Sequence, residues 1–185
     1  NYKNIKSLFN CRSPGHLISE LFYLIANLYS AEENYYASNF YINLSNYLNP
    51  KFIFNKALLA ENFSSMEKYE KSKEIYKNFE KKYEIYHWYG VKKISYIESK
   101  KNNNKKAIEY FKKNYNKLQN PTLKNFYDAA NFYKNLENYE QAIKYYSKVL
   151  ESLNQNHPLY SSILYRRGGS YERIKNWKKS DEDLL

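Results

Sequence analysis

The clearest pattern of apolar and polar positions lies between residues 126 and 150. Apolar residues first recur every three or four positions, polar residues interrupt them at 134–138, and a second apolar stripe follows. Side chains spaced by three and four residues share one face of an α-helix. The stretch therefore predicts two short amphipathic helices joined by a polar turn. The two stripes are Phe126, Ala129, Ala130 and Tyr133, and then Tyr139, Ala142, Tyr146 and Val149.

The same pattern recurs along the chain. Each second helix opens on an aromatic residue and carries a small residue three positions later, and successive small residues are 34, 35, 35 and 38 positions apart. In the third copy Asn104 replaces the aromatic residue. A hairpin this short cannot bury its own apolar face and needs copies on either side, so we expect the small residues, and Trp177 among the opening aromatics, to be packed. The aligned pairs are Tyr35–Ser38, Tyr69–Ser72, Asn104–Ala107, Tyr139–Ala142 and Trp177–Ser180.

These copies resemble the tetratricopeptide repeat, a helix–turn–helix unit of roughly 34 residues. The resemblance covers about residues 17–185 and implies an all-α fold, a right-handed α-solenoid or superhelix of about five antiparallel helix hairpins. It also points to a bacterial repeat protein. Because the sequence starts at Asn1 rather than Met and stops at Leu185 inside a helical stripe, we expect a fragment of a longer protein.

Two regions are predicted along the chain. Residues 1–16 lack clear periodicity and are expected to form an irregular N-terminal segment, and residues 17–185 form the array. Pro50, Pro121 and Pro158 each stand just before a first helix, where a missing N–H costs nothing. The predicted repeats are 17–50, 51–84, 85–119, 120–156 and 157–185, the last of them truncated.

The resemblance further implies that first helices line an inner, concave surface. Their residues that face away from the core are mainly Tyr, Asn, Lys and Arg. Such side chains suit an extended protein segment, although the tyrosines could also simply fill a solvated face. The candidate groove residues are Tyr23, Asn27, Tyr89, Lys92, Tyr96, Lys124, Tyr127, Asn131, Tyr165 and Arg166, with Phe54, Ala57, Glu61 and Gly169 beside them and Lys93 and Arg173 at the edge.

Some relatives grip two carboxylates of an acidic tail through five polar positions. Here Lys92 and Arg166 match two of those positions, whereas Tyr96, Asp128 and Ser162 depart from the pattern. The carboxylate of Asp128 would repel such a ligand. We therefore do not predict this particular clamp.

The function that we predict is a non-catalytic protein–protein interaction scaffold that binds a partner segment in the groove. The partner is a protein or peptide, and the lysines and arginines favour an acidic one. An alternative is binding of nucleic acid or another anionic surface through the third repeat. Residues 86–120 hold nine lysines and two glutamates, which accounts for most of the net charge of +11.

The sequence offers no set of residues for catalysis or for a cofactor. Cys11 is the single cysteine, which excludes an internal disulfide and a Cys-rich metal site. The three histidines lie in different repeats without carboxylates at metal-ligand spacing, so we predict no metal and no enzyme. The apolar run 17–29 is too short to span a bilayer, and the compartment is left open.

Overall fold

A short turn of constant geometry joins the two helices of every hairpin. The structure is a computed structural model that describes residues 10–79 and 84–185. In the turn after Asn135, Glu137 has φ = 58°, and the N–H of Asn138 bonds to the carbonyl of Tyr133 at 2.9 Å. A left-handed residue followed by a hydrogen bond that spans six residues is the Schellman motif. It provides hydrogen-bond donors to the last carbonyls of the first helix. The positive-φ residues of the five turns are Glu33, Glu67, Asn102, Glu137 and Lys175.

The residue that follows each left-handed residue is the N-cap of the second helix, which begins one position later. In four of the five turns it is an asparagine whose side-chain oxygen accepts the backbone N–H three residues later, which caps the helix. Lys68 takes this place in the second hairpin and makes no side-chain cap. The sequence pattern marked these stretches only as polar breaks. Their repeated Asn caps are Asn34, Asn103, Asn138 and Asn176.

The described residues form ten α-helices, paired as antiparallel hairpins. In the first, second, fourth and fifth hairpins, the two helices pack against each other. The first hairpin packs on the second, and the fourth on the fifth, through the second helix of one and the first helix of the next. The helices are α1 Pro14–Ala31, α2 Tyr35–Leu48, α3 Ile53–Ser65, α4 Tyr69–Lys77, α5 Glu84–Lys100, α6 Asn104–Tyr115, α7 Leu123–Asn135, α8 Tyr139–Glu151, α9 Tyr160–Arg173 and α10 Trp177–Leu184. The prediction of an all-α array of helix hairpins is confirmed. Its right-handed sense stays a prediction.

The small residues that align the second helices are buried, and two of them bond to the first helix of their own hairpin. All five are at most 3% exposed. The hydroxyl of Ser38 donates to the carbonyl of Ala26 at 2.8 Å, and that of Ser72 donates to the carbonyl of Ala60 at 2.7 Å. A small side chain lets the helix axes approach, and serine keeps its hydroxyl satisfied at the crossing. The five residues are Ser38, Ser72, Ala107, Ala142 and Ser180.

The chain divides into two compact halves, residues 1–97 and 98–185, with the boundary inside α5. In the N-terminal half, the fully buried Asn62 accepts a hydrogen bond from Ser30 at 2.7 Å and donates to Ser38 and Asn39 at 2.7 and 2.8 Å. These bonds join α1, α2 and α3 without an unpaired amide atom. In the C-terminal half, aromatic rings dominate the core, and Phe111 stacks on Phe132 at 4.1 Å between centroids.

Two predictions about individual residues need correction. Helix α1 begins at Pro14, three residues before the predicted start at Leu17, because proline suits the first turn of a helix. Trp177 was expected to be packed like the other opening aromatics, yet it is 58% exposed. Most of the predicted irregular segment 1–16 lies outside the described residues, and the predicted repeat boundaries stay a prediction.

Replacing Glu137 with glycine is expected to stabilise the protein by about 1 kcal/mol. A residue with a side chain is strained at positive φ, and glycine removes that strain. The free energy of unfolding from urea titrations measures the change. The exposed Lys144, in the middle of α8, provides the control: the same substitution there should destabilise by about 1 kcal/mol. Equal effects at the two positions would contradict the strain in the turn.

Candidate functional site

In the N-terminal half, the predicted groove residues surround a cavity. It has a volume of about 270 Å³ and lies between α1, α3 and α5. Tyr23 and Asn27 of α1 and Tyr89 of α5 contribute to its wall, as do Phe54, Ala57 and Glu61 of α3. Sequence reasoning missed Ile53, Leu58, Phe79, Ile85 and Tyr86, which complete the wall. We call this space the N-terminal cavity.

Ring contacts hold the tyrosines of the N-terminal cavity in place. Tyr23 packs edge-on against Phe52 at 5.2 Å between centroids and contacts Phe54 at 6.2 Å. On the other side, Tyr89 stacks on Phe79 at 6.2 Å and meets Tyr76 edge-on at 5.9 Å. Such contacts add to the energy of burial and restrict the rotamers of the rings. The cavity wall is therefore preformed.

Glu61 is the acidic residue of the cavity wall, and two partners occupy its carboxylate. Lys93 forms a salt bridge with it at 2.7 Å, and the hydroxyl of Tyr89 donates a hydrogen bond to it. The ammonium of Lys93 also lies 5.3 Å from the centroid of the Tyr89 ring. Burial, together with the adjacent Glu61, raises the pKa of Tyr89 well above its usual range. The polar part of the wall therefore carries no uncompensated charge.

The other predicted residues of this half differ in exposure. Asn27 is half-buried, and its amide donates to the carbonyl of Tyr23 at 2.7 Å, one turn earlier on α1. Lys92 is half-buried and Tyr96 is 49% exposed, and neither lines the N-terminal cavity. The structure thus brings Tyr23, Asn27 and Tyr89 together and places Lys92 and Tyr96 apart from them.

In the C-terminal half, four residues form a second cluster between α7, α8 and α9. The guanidinium of Arg166 lies 5.9 Å from the centroid of the Tyr127 ring, and the hydroxyl of Tyr146 donates to the side-chain oxygen of Asn131 at 2.8 Å. The Nε atom of Arg166 is buried and has no hydrogen-bond partner within the described part of the chain. We call Tyr127, Asn131, Tyr146 and Arg166 the Arg166 cluster.

Two consecutive arginines of α9 have different environments. Arg167 makes a bidentate pair with Asp183 of α10 at 2.7 and 2.6 Å and donates to Ser147 of α8 at 3.0 Å. Among residues 10–79 and 84–185, Arg166 forms no salt bridge. Sequence reasoning missed Arg167, because only the fold brings Asp183 to it. Asp183 neutralises the charge of Arg167, whereas Arg166 has no carboxylate partner in the part of the chain that the structure describes.

Two other predicted residues of the C-terminal half, Lys124 and Tyr165, are solvent-exposed. Lys124, in the first turn of α7, is exposed, and Tyr165 of α9 is 72% exposed. Tyr127, Asn131 and Arg166 are half-buried. The fold therefore gathers these three residues in the Arg166 cluster and leaves Lys124 and Tyr165 on the surface.

Alkaline pH is expected to weaken the fold through buried tyrosines. Burial raises the pKa of Tyr146 to about 12, although the nearby Arg166 acts in the opposite direction. Because the unfolded chain then loses the phenol proton first, the contribution of Tyr146 to stability should be constant below about pH 10 and decrease between about pH 10 and pH 12. Urea titrations across this range measure the fall. Tyr146→Phe should make it shallower; an unchanged slope would exclude Tyr146 as a contributor.

The sequence and the fold were compared with known proteins. Residues 123–155 match the sequence model of the tetratricopeptide repeat family, so the chain is a tetratricopeptide-repeat-containing protein. A match among solved structures is the crystal structure of YrrB, described as a TPR protein with an unusual peptide-binding site, at 16% identity and a TM-score of 0.49 over 88% of this chain and 81% of that chain. No curated protein matches the sequence.

The matched region covers α7 and α8, the hairpin from which the period was first identified. The tetratricopeptide repeat generally mediates protein–protein interaction, and proteins built from it are typically non-catalytic scaffolds with protein or peptide partners. In the described ranges, no helix has both the length and the hydropathy of a bilayer span. The same residues contain no group of three or more His, Cys, Asp or Glu placed to hold a metal ion.

Proposed function

We propose that this protein is a non-catalytic scaffold that binds an extended segment of a partner protein through residues of its first helices. The observation that supports the proposal most directly is the Arg166 cluster. A half-buried guanidinium without a salt bridge beside an aromatic ring is poised to pair with a carboxylate. Tyr127 and Asn131 supply rigid contact area and an amide for the bound backbone. The partner segment is therefore acidic.

Peptides selected on the protein from a random library are expected to contain an acidic residue that pairs with Arg166. Replacing Arg166 with glutamine should raise the Kd of such a peptide about tenfold or more, because a charge-assisted hydrogen bond contributes roughly 1.5–3 kcal/mol. Fluorescence anisotropy of the labelled peptide measures the Kd.

The control is Lys144→Gln, which removes an exposed charge of the same sign from the second helix α8. It should leave the Kd unchanged apart from a weak ionic-strength effect. Selected peptides without an acidic preference, or equal affinity for the Arg166→Gln variant, would count against the proposal. The same titrations with Tyr127→Ala test the aromatic contact.

A second candidate function is binding of nucleic acid or another anionic surface. Seven lysines at the end of α5, along α6 and just after it are exposed. Two aromatic rings of α6, Phe111 and Tyr115, are buried in the core and offer no surface on which bases could stack. The lysines are Lys100, Lys101, Lys105, Lys106, Lys112, Lys113 and Lys117.

An oligonucleotide of random sequence tests this second candidate. Binding through these lysines should weaken steeply as salt is added, with a slope near −0.7 per phosphate contacted on a single strand. Replacing Lys105, Lys106 and Lys112 by glutamine should reduce that slope. Absence of binding at low salt, or binding that is insensitive to salt, would remove this candidate.

A further inference from the structure

We infer that the N-terminal cavity receives one uncharged apolar side chain, aromatic or branched aliphatic, from the bound protein segment. The inference rests on the proposed function and specifies what a partner must present to the N-terminal half. It concerns a different site from the Arg166 cluster, and its chemistry is apolar rather than ionic.

The size of the N-terminal cavity indicates a single side chain. Sites for cofactors and other small molecules occupy roughly 300–1,000 Å³, and the volume of about 270 Å³ falls just below that range. Protein interfaces use buried aromatic and aliphatic anchors that fill one pocket each. A cavity of this size fits such an anchor.

The wall of the N-terminal cavity is apolar on most of its surface. Ile53, Leu58 and Phe79 present hydrocarbon, and the tyrosines present ring faces. Phe54 and Ile85 are 47% and 80% exposed, so apolar surface continues onto the rim of the cavity. Apolar area that stays in contact with water favours an apolar occupant, because binding removes the apolar surface of both from water.

The charges around the N-terminal cavity oppose a charged occupant. Glu61 already has Lys93 and the Tyr89 hydroxyl as partners, so a lysine or arginine entering the cavity would compete with an existing salt bridge. An aspartate or glutamate would face that carboxylate and lose its hydration. An uncharged side chain avoids both penalties, and the apolar wall favours an apolar one among the uncharged side chains.

Asn27 gives the N-terminal cavity a polar contact for the backbone of the bound segment. Its Nδ2 is held by the carbonyl of Tyr23, and its Oδ1 accepts no hydrogen bond from the described residues. An oxygen fixed in this way can accept a backbone N–H of the segment that carries the anchor. The anchor and its own backbone would then contact the same wall.

Blocked amino acids test the cavity without a known partner. N-acetyl-phenylalaninamide and N-acetyl-leucinamide are titrated into the full chain with isotope-labelled methyl groups, and the shifts of the Ile53, Ala57 and Leu58 methyls are followed by NMR. We expect saturable binding with a Kd on the order of 1 mM for such small ligands. The lysine and aspartate analogues should bind at least about tenfold more weakly.

The variant Ala57→Phe fills the cavity from its own wall and should weaken binding of the phenylalanine probe about tenfold or more. Ala31→Phe is the matched control, because Ala31 is exposed at the end of α1 and does not line the cavity. Circular dichroism shows whether each variant is folded. If Ala57→Phe fails to fold, Phe54→Ser at the rim should weaken the same probe severalfold.

Several results would overturn the inference. These are no shift of the cavity methyls with either apolar probe, equal binding of the lysine probe, or unchanged affinity in a folded Ala57→Phe variant. None of them affects the Arg166→Gln result, which tests the proposed function through selected peptides. Selected peptides that require Arg166 but bind the folded Ala57→Phe variant as well as the wild type would keep the proposed function and reject the anchor site.

Discussion

Replacing Arg167 with methionine is expected to destabilise the last hairpin by about 3–5 kcal/mol, the largest effect that we expect of any single substitution. The guanidinium of Arg167 makes two hydrogen bonds to Asp183, whose side chain is only 5% exposed, and a third to Ser147. Removing the arginine leaves a buried carboxylate without its partner. The strength of the Asp183 pair also raises the pKa of Arg167 above its usual value.

Urea titrations measure the loss, and amide hydrogen exchange across α10 shows whether this helix is released first. Removing both charges with Arg167→Met and Asp183→Leu together should recover most of the stability, because no charge then stays buried alone. Arg173→Met, at an exposed position of the same helix, should change stability by less than about 0.5 kcal/mol. A loss below about 1 kcal/mol in Arg167→Met would show that water reaches Asp183 after the substitution.

Replacing Gly90 with alanine is expected to destabilise the N-terminal half by about 1–3 kcal/mol. A Cβ atom at Gly90 of α5 would lie 2.7 Å from the backbone carbonyl oxygen of Tyr76 in α4, closer than real contacts allow. Backbone atoms cannot move aside as the end of a flexible side chain can. The two helices must therefore separate, which disturbs the contact between Tyr76 and Tyr89 behind the N-terminal cavity.

Gly169 provides the matched control for Gly90. Nothing lies within 4 Å of a Cβ built at Gly169, so alanine there should stabilise α9 by about 0.5–1 kcal/mol through helix propensity. Thermal and urea unfolding of the two variants should therefore shift in opposite directions. A neutral effect of Gly90→Ala would show that α4 and α5 leave room for a Cβ atom at this position.

Much of this fold could be predicted because each repeat presents the same local pattern. The register of small residues picked out five positions that are all buried, including Ala107 in the repeat whose opening aromatic is replaced by Asn104. A small residue is needed wherever two helix axes approach, so its spacing carries the period even when the larger neighbours vary. A small residue is also needed at Gly168 of the first helix α9, where a Cβ would lie 2.9 Å from the side chain of Leu184.

Contacts between residues of different helices could not be predicted from the repeat period. The spacing placed Arg166 among the groove candidates, but it did not indicate that the neighbouring Arg167 pairs with Asp183 of another helix. The N-terminal cavity includes Phe79 and Ile85, which lie outside the predicted first-helix pattern. The sequence did not predict that Gly90 must lack a side chain, because the carbonyl that leaves no room for one belongs to another helix.

The uniform turns have a consequence for the kinetics of folding. Because each hairpin closes through a few residues, its stabilising bonds join positions near in sequence, such as Ser38 with Ala26 and Ser72 with Ala60, 12 residues apart in both cases. Bonds between neighbouring hairpins, such as Ser30 with Asn62, span 32 residues. Helical proteins dominated by local contacts fold in microseconds to milliseconds, and repeat arrays can begin to fold at any point along their length. Because one hairpin cannot bury its apolar face alone, we expect folding during synthesis to begin when two neighbouring hairpins have left the ribosome.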